Sequence, residues 1–198
     1  MGSLLIAAVF SCASEEPEPV PAAPDESVPA LADSLVERPV VVLETPLGQI
    51  DVELWTHVAP AHAARFLELV KSGFYDGTTF HRVVAGFLIQ GGDPNTKDDD
   101  PENDGYGGLE DRRLTPEFSS RPFVRGSIGM GRDHRLEGAS CQFFIVVARA
   151  AHLDGAHTLF GRVSKGLDVV DEIAGTATDG RGRPETPQVL LRAWVRSK

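Results

Sequence analysis

The stretch that most constrains this chain is Phe80-His81-Arg82-Val83-Val84-Ala85-Gly86-Phe87-Leu88-Ile89-Gln90-Gly91-Gly92-Asp93. It is mostly apolar, yet it carries a histidine, an arginine and a glutamine inside the run. Gly86 supplies a place to turn, so the run reads as two short strands joined by a tight bend. A guanidinium among buried-type residues is costly unless it is paired or acts on a ligand. The other half of any such site must come from elsewhere, and a second apolar run, Gln142-Phe143-Phe144-Ile145-Val146-Val147, is the obvious supplier.

Charge separates the rest of the chain into parts. The formal net charge is -10 over 198 residues, which makes nucleic acid a poor partner. No apolar run reaches the roughly 20 residues that a membrane-spanning helix needs. Residues 13–38 carry -6 of the total and hold Pro17, Pro19, Pro21, Pro24 and Pro29 among alanines and glutamates. Such a composition buries no core and reads as an extended, self-repelling linker, reaching at most roughly 80 Å.

From Pro39 onward the pattern changes to short strands. Val40 to Thr45 and Gln49 to Leu54 flank a Pro46-Leu47-Gly48 turn, and Ile50, Val52 and Leu54 alternate with Asp51 and Glu53 as in a half-buried strand. A helix is expected from Pro60 to Ser72, with Ala63, Phe66, Leu67 and Val70 as its apolar stripe and Gly73 as its stop. A polar loop runs from Pro94 to about Glu117. Further strands are expected at Val124–Met130, Gln142–Val147, Leu159–Val163 and Val189–Val195, with a short helix at Leu167–Ala174. Many short strands and two helices predict a mainly β barrel with a helix over each opening.

Several motifs in this order resemble one family. Gly73-Phe74-Tyr75-Asp76-Gly77, Phe80-His81-Arg82, Gly86-Phe87 and Gln90-Gly91-Gly92-Asp93 are similar to the cyclophilin signature. The likeness continues through Ser127–Met130, Gln142-Phe143-Phe144-Ile145, Leu153-Asp154-Gly155 with His157, and Phe160-Gly161, so it spans residues 39–198. The resemblance implies a closed eight-stranded antiparallel β-barrel capped by two helices, and cofactor-independent peptidyl-prolyl cis/trans isomerase activity on unfolded or exported polypeptides. It places Arg82 as the catalytic arginine and Gln90 as the glutamine that steadies it and binds the substrate backbone. Phe87, Leu88, Phe144 and Leu153 fall at the proline pocket, His157 at its edge, Gly131 and Arg132 at the backbone strip that meets the peptide, and Gln142 at the rim. His152 stands where many eukaryotic members carry tryptophan, which implies reduced affinity for cyclosporin-type ligands. The loop Arg135 to Cys141 also departs from the family's usual segment. A monomer is expected, and the competing class is a non-catalytic chaperone module that grips proline segments with the same pocket.

The N-terminus carries a second resemblance. Leu4 to Ser11 followed by Cys12 is similar to a bacterial lipoprotein signal, so residues 1–12 imply export and lipidation at Cys12, with the linker as a tether in the cell envelope. Phe10 and the lack of a preceding lysine or arginine depart from that pattern; without a signal the chain would be cytoplasmic. Cys141 reads as a small, buried, reduced residue. No zinc-type spacing is present, so no metal is expected at His152, Asp154 and His157. Asp98, Asp99, Asp100, Glu102, Asp104 and Asp111 only loosely echo a calcium loop and read as a solvated acidic segment. His81 reads as a core histidine beside Arg82 rather than as a base.

Overall fold

The structure, a computed structural model, describes residues 38–197. The signal reading, including Cys12, and the linker reading up to residue 37 lie outside the described residues; Arg38, expected to end the linker, is bonded to the domain, its Nη1 donating to Glu53 Oε1 at 3.0 Å. The chain forms strands β1 (Val40–Thr45), β2 (Gly48–Leu54), β3 (Arg82–Val84), β4 (Leu88–Gly91), β5 (Ser127–Met130), β6 (Phe143–Val146), β7 (Leu159–Lys165) and β8 (Arg192–Val195). Two helices join them, α1 (Pro60–Lys71) and α2 (Leu167–Ala174).

All eight strands belong to one antiparallel sheet of order β3-β4-β6-β5-β7-β2-β1-β8. The expected closed barrel is corrected here to an open, curled half-barrel, because β3 and β8 at the two edges do not pair as strands. Both edge strands are short, and the segments before them cross the seam instead. Phe80 N–H donates to Gln188 O at 2.9 Å and Leu190 N–H to Thr78 O at 2.8 Å, around a single Thr79–Val189 bridge. The Val83 N–H is taken by Gly182 O at 2.7 Å, so a loop rather than β8 covers the edge of β3.

Inside the curl sits one core, built from Leu43, Ile50, Val52, Leu54, Ile89, Ile128, Phe143, Ile145 and Phe160 of the strands. The α1 residues Phe66, Leu69 and Val70 and the α2 residues Val170 and Ile173 pack into it. Phe66 lies at the centre of an aromatic cluster, with ring centroids 5.1 Å from Tyr75, 5.3 Å from Phe143 and 5.3 Å from Phe160.

Three local expectations change. The α1 stripe is wider than the apolar residues alone, since His62 and Arg65 are buried with Ala63, Phe66, Leu69 and Val70, while Leu67 is only partly buried. Glu117 makes His62 tolerable by accepting from its Nδ1 at 2.6 Å, and Ser140 O accepts from Arg65 Nε at 3.3 Å. Asp51, expected on a wet face, is buried because Arg196 Nη2 donates to both its oxygens at 2.7 Å. The strand expected from Val124 starts only at Ser127, because Ser127 N–H turns back to Val124 O at 2.9 Å and leaves Val124 exposed.

Candidate functional site

The two-residue period of a strand puts the core on one face of β3, β4 and β6 and leaves the other face for a site. Arg82 pairs directly with Gln90, and Gln90 with Phe144, while Phe144 in turn faces Gly129 of β5. Directly paired residues share a face, so this row sits on the outside of the curl, opposite Val83, Ile89, Phe143 and Ile145. Gly86 allows the row to form. Its φ of +72° turns the chain between β3 and β4 at no steric cost, and Phe87 N–H closes the bend on Val84 O at 3.0 Å.

A second, smaller cluster backs this outer face: Leu88, Phe123, Phe144, Val146, Ala150, Leu153 and Leu159, with Phe87 and Trp55 against it. In front of it opens a cavity of about 250 Å³, lined by Arg82, Phe87, Leu88, Gln90, Gly131, Arg132, Phe144, Leu153 and His157. Nine of the residues expected at the site are therefore brought together. The other two lie beside it. His152 packs its ring 5.0 Å from Phe87 and is exposed. Gln142 lines a neighbouring cleft of about 340 Å³ that shares Gln90, Gly131 and Arg132 with the first.

Arg82 makes one long contact, Nη1 to Gln90 Oε1 at 3.4 Å, and its guanidinium borders the apolar cavity. Arg132 is held differently: its donors reach the carbonyls of Asp133, Arg135 and Ala156 at 3.2, 3.3 and 3.4 Å, strapping two loops together at the cavity wall. His157 meets the Phe144 ring edge-on at 5.7 Å. Burial, with Arg132 and His152 adding to it, holds the His157 pKa below its usual value, which favours a neutral ring against the apolar wall. Burial likewise depresses His81, ahead of the opposing pull of Asp93. Among the described residues neither ring nitrogen of His81 finds a well-formed hydrogen bond. Cys141 is a free, buried thiol pushed up to about 11, chiefly by burial, which fits a packing role.

The acidic loop proves to be a series of capped turns. Asn95 N–H donates to Asp93 at 2.8 Å, Asp100 N–H to Asp98 at 2.8 Å and Glu102 N–H to Asp100 at 3.1 Å. Among the described residues no three histidine, cysteine, aspartate or glutamate side chains are grouped to hold a metal ion.

Sequence reasoning missed Phe123, which stacks on Phe144 at 5.7 Å from a segment without strand pattern. Its N–H is held by Asp154 Oδ1 at 2.8 Å, and its carbonyl accepts from Ala150 N–H at 3.0 Å. Arg149 holds the same Asp154 carboxylate, at 3.0 Å through Nη1, and that pairing keeps its pKa low. No local sequence pattern marks Phe123, because the residues that hold it, Asp154 and Ala150, lie about 30 residues further along the chain.

A family model described as "Cyclophilin type peptidyl-prolyl cis-trans isomerase/CLD" matches residues 40–195. A probable peptidyl-prolyl cis-trans isomerase of Brucella suis is 36% identical over 159 residues, covering 78% of this chain and 81% of its own length. A peptidyl-prolyl cis-trans isomerase-like 1 protein of Rhizopus delemar is 38% identical over 161 residues, covering 79% and 93%. Among solved structures, a cyclophilin type peptidyl-prolyl cis-trans isomerase of Cryptosporidium parvum superposes with a TM-score of 0.75 at 26% identity, covering 82% of this chain and 99% of that one. The same protein in the presence of the dipeptide Ala-Pro gives a TM-score of 0.73, again at 26% identity, covering 80% and 99%.

Proposed function

The chain belongs to the cyclophilin-type peptidyl-prolyl cis-trans isomerases, and from that premise we propose that Arg82 lowers the rotation barrier of prolines held in the adjoining cavity. The observation that carries this reading is the Arg82-Gln90-Phe144 row, which sets a guanidinium at the mouth of an apolar pocket.

The chemistry follows from the amide. Its rotation barrier of roughly 18–20 kcal/mol is lost resonance, so an uncatalysed X-Pro bond turns over in tens to hundreds of seconds. Twisting the bond makes the proline nitrogen pyramidal and restores its lone pair. A donor aimed at that nitrogen stabilises the twisted state and has little to hold in the planar one. Arginine suits the task, with several donors in a rigid fork and no proton to exchange. An acceleration of ~10⁵-fold corresponds to about 7 kcal/mol of such stabilisation.

The remaining residues divide the work. Phe87, Leu88, Phe144 and Leu153 hold the ring, and their apolar surface strengthens the field of the guanidinium. His157 closes the pocket edge, and His152 supports Phe87 from outside. Gly131, Arg132 and Gln142 flank the path of the peptide towards the neighbouring cleft. Substrates are unfolded polypeptides, whose X-Pro bonds are accessible. We further place the protein in a bacterial cell envelope, lipidated at Cys12. Fatty-acid labelling lost in Cys12→Ser supports that placement, and labelling that persists overturns the anchor.

The deciding experiment for catalysis compares isomerisation of an X-Pro peptide by the parent and by Arg82→Ala. A large acceleration that collapses in the variant, with folding and peptide affinity retained, is the expected result. Peptide binding without acceleration by the folded parent would instead make the protein a proline-gripping chaperone module.

A further inference from the structure

Behind Gln90 lies a set of hydrogen bonds whose directions are forced. The Nε2 of Gln142 faces three acceptors: Gly107 O at 2.8 Å, Gly105 O at 3.0 Å and Asp93 Oδ2 at 3.4 Å. Carbonyl oxygens only accept, so the NH2 end of the Gln142 amide must sit among them. Its Oε1 then faces the other way and takes the Nε2 of Gln90 at 2.9 Å. With its own NH2 occupied there, Gln90 presents Oε1 to Arg82 Nη1.

Asp93 sets this order from the far end. It is fully buried, and its Oδ2 accepts from the amides of both Gly105 and Gly107 while Oδ1 accepts from Asn95. The carboxylate therefore fixes the loop whose carbonyls receive Gln142. No side chain fits at Gly107, where a Cβ would lie 1.9 Å from Asp93 Oδ1.

We propose that Asp93 and Gln142 are positioning residues that fix which end of the Gln90 amide faces Arg82, and so aim the guanidinium at the prolyl nitrogen. This rests on the catalytic reading of Arg82 given above. An amide is nearly symmetric in shape, and an unconstrained Gln90 could turn its NH2 towards the guanidinium, donor against donor. The relay removes that state.

The test is a cycle between Gln142→Met and Gln90→Glu in the full chain, with isomerisation rate and peptide affinity both measured. A carboxylate has oxygen at either end and cannot be misoriented, so in the Gln90→Glu protein Gln142 no longer supports the rate, and its Oε1 instead faces a carboxylate oxygen, acceptor against acceptor. Gln142→Met alone should lower kcat by about tenfold, within the range for contacting residues, and by more than it weakens peptide affinity. In the Gln90→Glu background the same substitution should cause no loss of kcat beyond about twofold, and relief of the oxygen–oxygen contact acts to raise it. Equal losses in the two backgrounds, or a parent-like rate for Gln142→Met, overturn the relay.

If Gln142→Met melts below the assay temperature, Gln142→Lys carries the comparison. Its ammonium has three N–H donors, two for the loop carbonyls and one left to point at Gln90, so it should lose more than tenfold, about a hundredfold at most, and regain it when combined with Gln90→Glu. No recovery in that double variant overturns the relay in this form too. The two failures differ. An active Arg82→Ala removes the catalytic reading, whereas an inactive Arg82→Ala with equal Gln142 losses removes only the relay.

Discussion

Gly129 should be among the least replaceable residues of the outer face, although it does not line the cavity. It pairs with Phe144 across β5 and β6, where the Phe144 and Phe123 rings stack at 5.7 Å. A Cβ at this position would lie 2.4 Å from Phe144 Cζ and 2.8 Å from both Phe144 Cε2 and Phe123 Cε1. Carbon pairs rest at about 3.5–4.0 Å, so Gly129→Ala demands a shift of roughly 1 Å from two buried rings. The interior side of the sheet is filled by Phe143, Ile145 and Ile128, which leaves Phe144 only the cavity to move into. Overpacking of this kind costs about 1–3 kcal/mol, which lowers the melting temperature of a domain this size by roughly 2–12 °C. Peptide affinity should fall with it, because the displaced ring enters the cavity proposed to hold the proline. Adding Phe144→Leu should restore part of the stability but not the affinity, since the pocket then lacks its aromatic wall. Calorimetry and peptide titration on both variants provide the test. A Gly129→Ala protein with parental melting temperature and affinity would refute the steric reasoning and the assignment of Phe144 to the pocket.

Three further outcomes are expected. His62, His81 and His157 are each held below the ordinary 6.5, with burial the largest cause. The unfolded chain therefore binds protons first, and stability should fall as pH drops below about 6.5; urea melts from pH 8 to 5 that show no such loss contradict this. Cys141, with its thiol near 11 and buried, should resist a disulfide reagent at pH 8 in a Cys12→Ser protein and react once urea unfolds it; fast native reaction would count against the packing role. Asp93→Ala should cost about 2 kcal/mol by stranding the amides of Asn95, Gly105 and Gly107, and a parent-like denaturation midpoint would show that the loop does not depend on it.

The strands and helices were legible where periodicity was strong. The α2 boundaries, Leu167–Ala174, and the bend at Gly86 agree with the pattern of apolar residues and glycine. Pattern failed where polar groups are buried in pairs. Asp51 reads as a wet-face residue until Arg196, far along the chain, is seen to neutralise it. Arg65 and His62 read as the polar side of α1 until Ser140 and Glu117 meet them. Closure of the barrel was equally beyond local pattern, because it depends on whether β3 and β8 come into register, and neighbouring loops take their bonds instead. The candidate site residues were legible through motif resemblance. Their support was not, since Phe123 and Asp93 act through contacts 21 and 49 residues away in sequence, to Phe144 and Gln142.

The location of the cavity follows from how the core is filled. Phe66, Tyr75, Phe80, Phe143 and Phe160 occupy the interior of the curl and are all essentially inaccessible to solvent. A peptide therefore has no room inside, unlike in wide barrels that enclose their ligands. The outer face of β3, β4 and β6 is the alternative, and there the strand pleat brings a charged, an amide and an aromatic side chain into one line. Because the same three strands contribute Val83, Ile89 and Phe143 to the core, the spacing of that line is set by interior packing rather than by a mobile loop. Substitutions within the core that shift β4 against β6 should therefore impair isomerisation before they unfold the protein. Ile89→Ala is the direct case: it substitutes no cavity-lining residue, yet it should lower kcat alongside stability, and an unimpaired rate in the destabilised variant would show that the row is held by something other than the core.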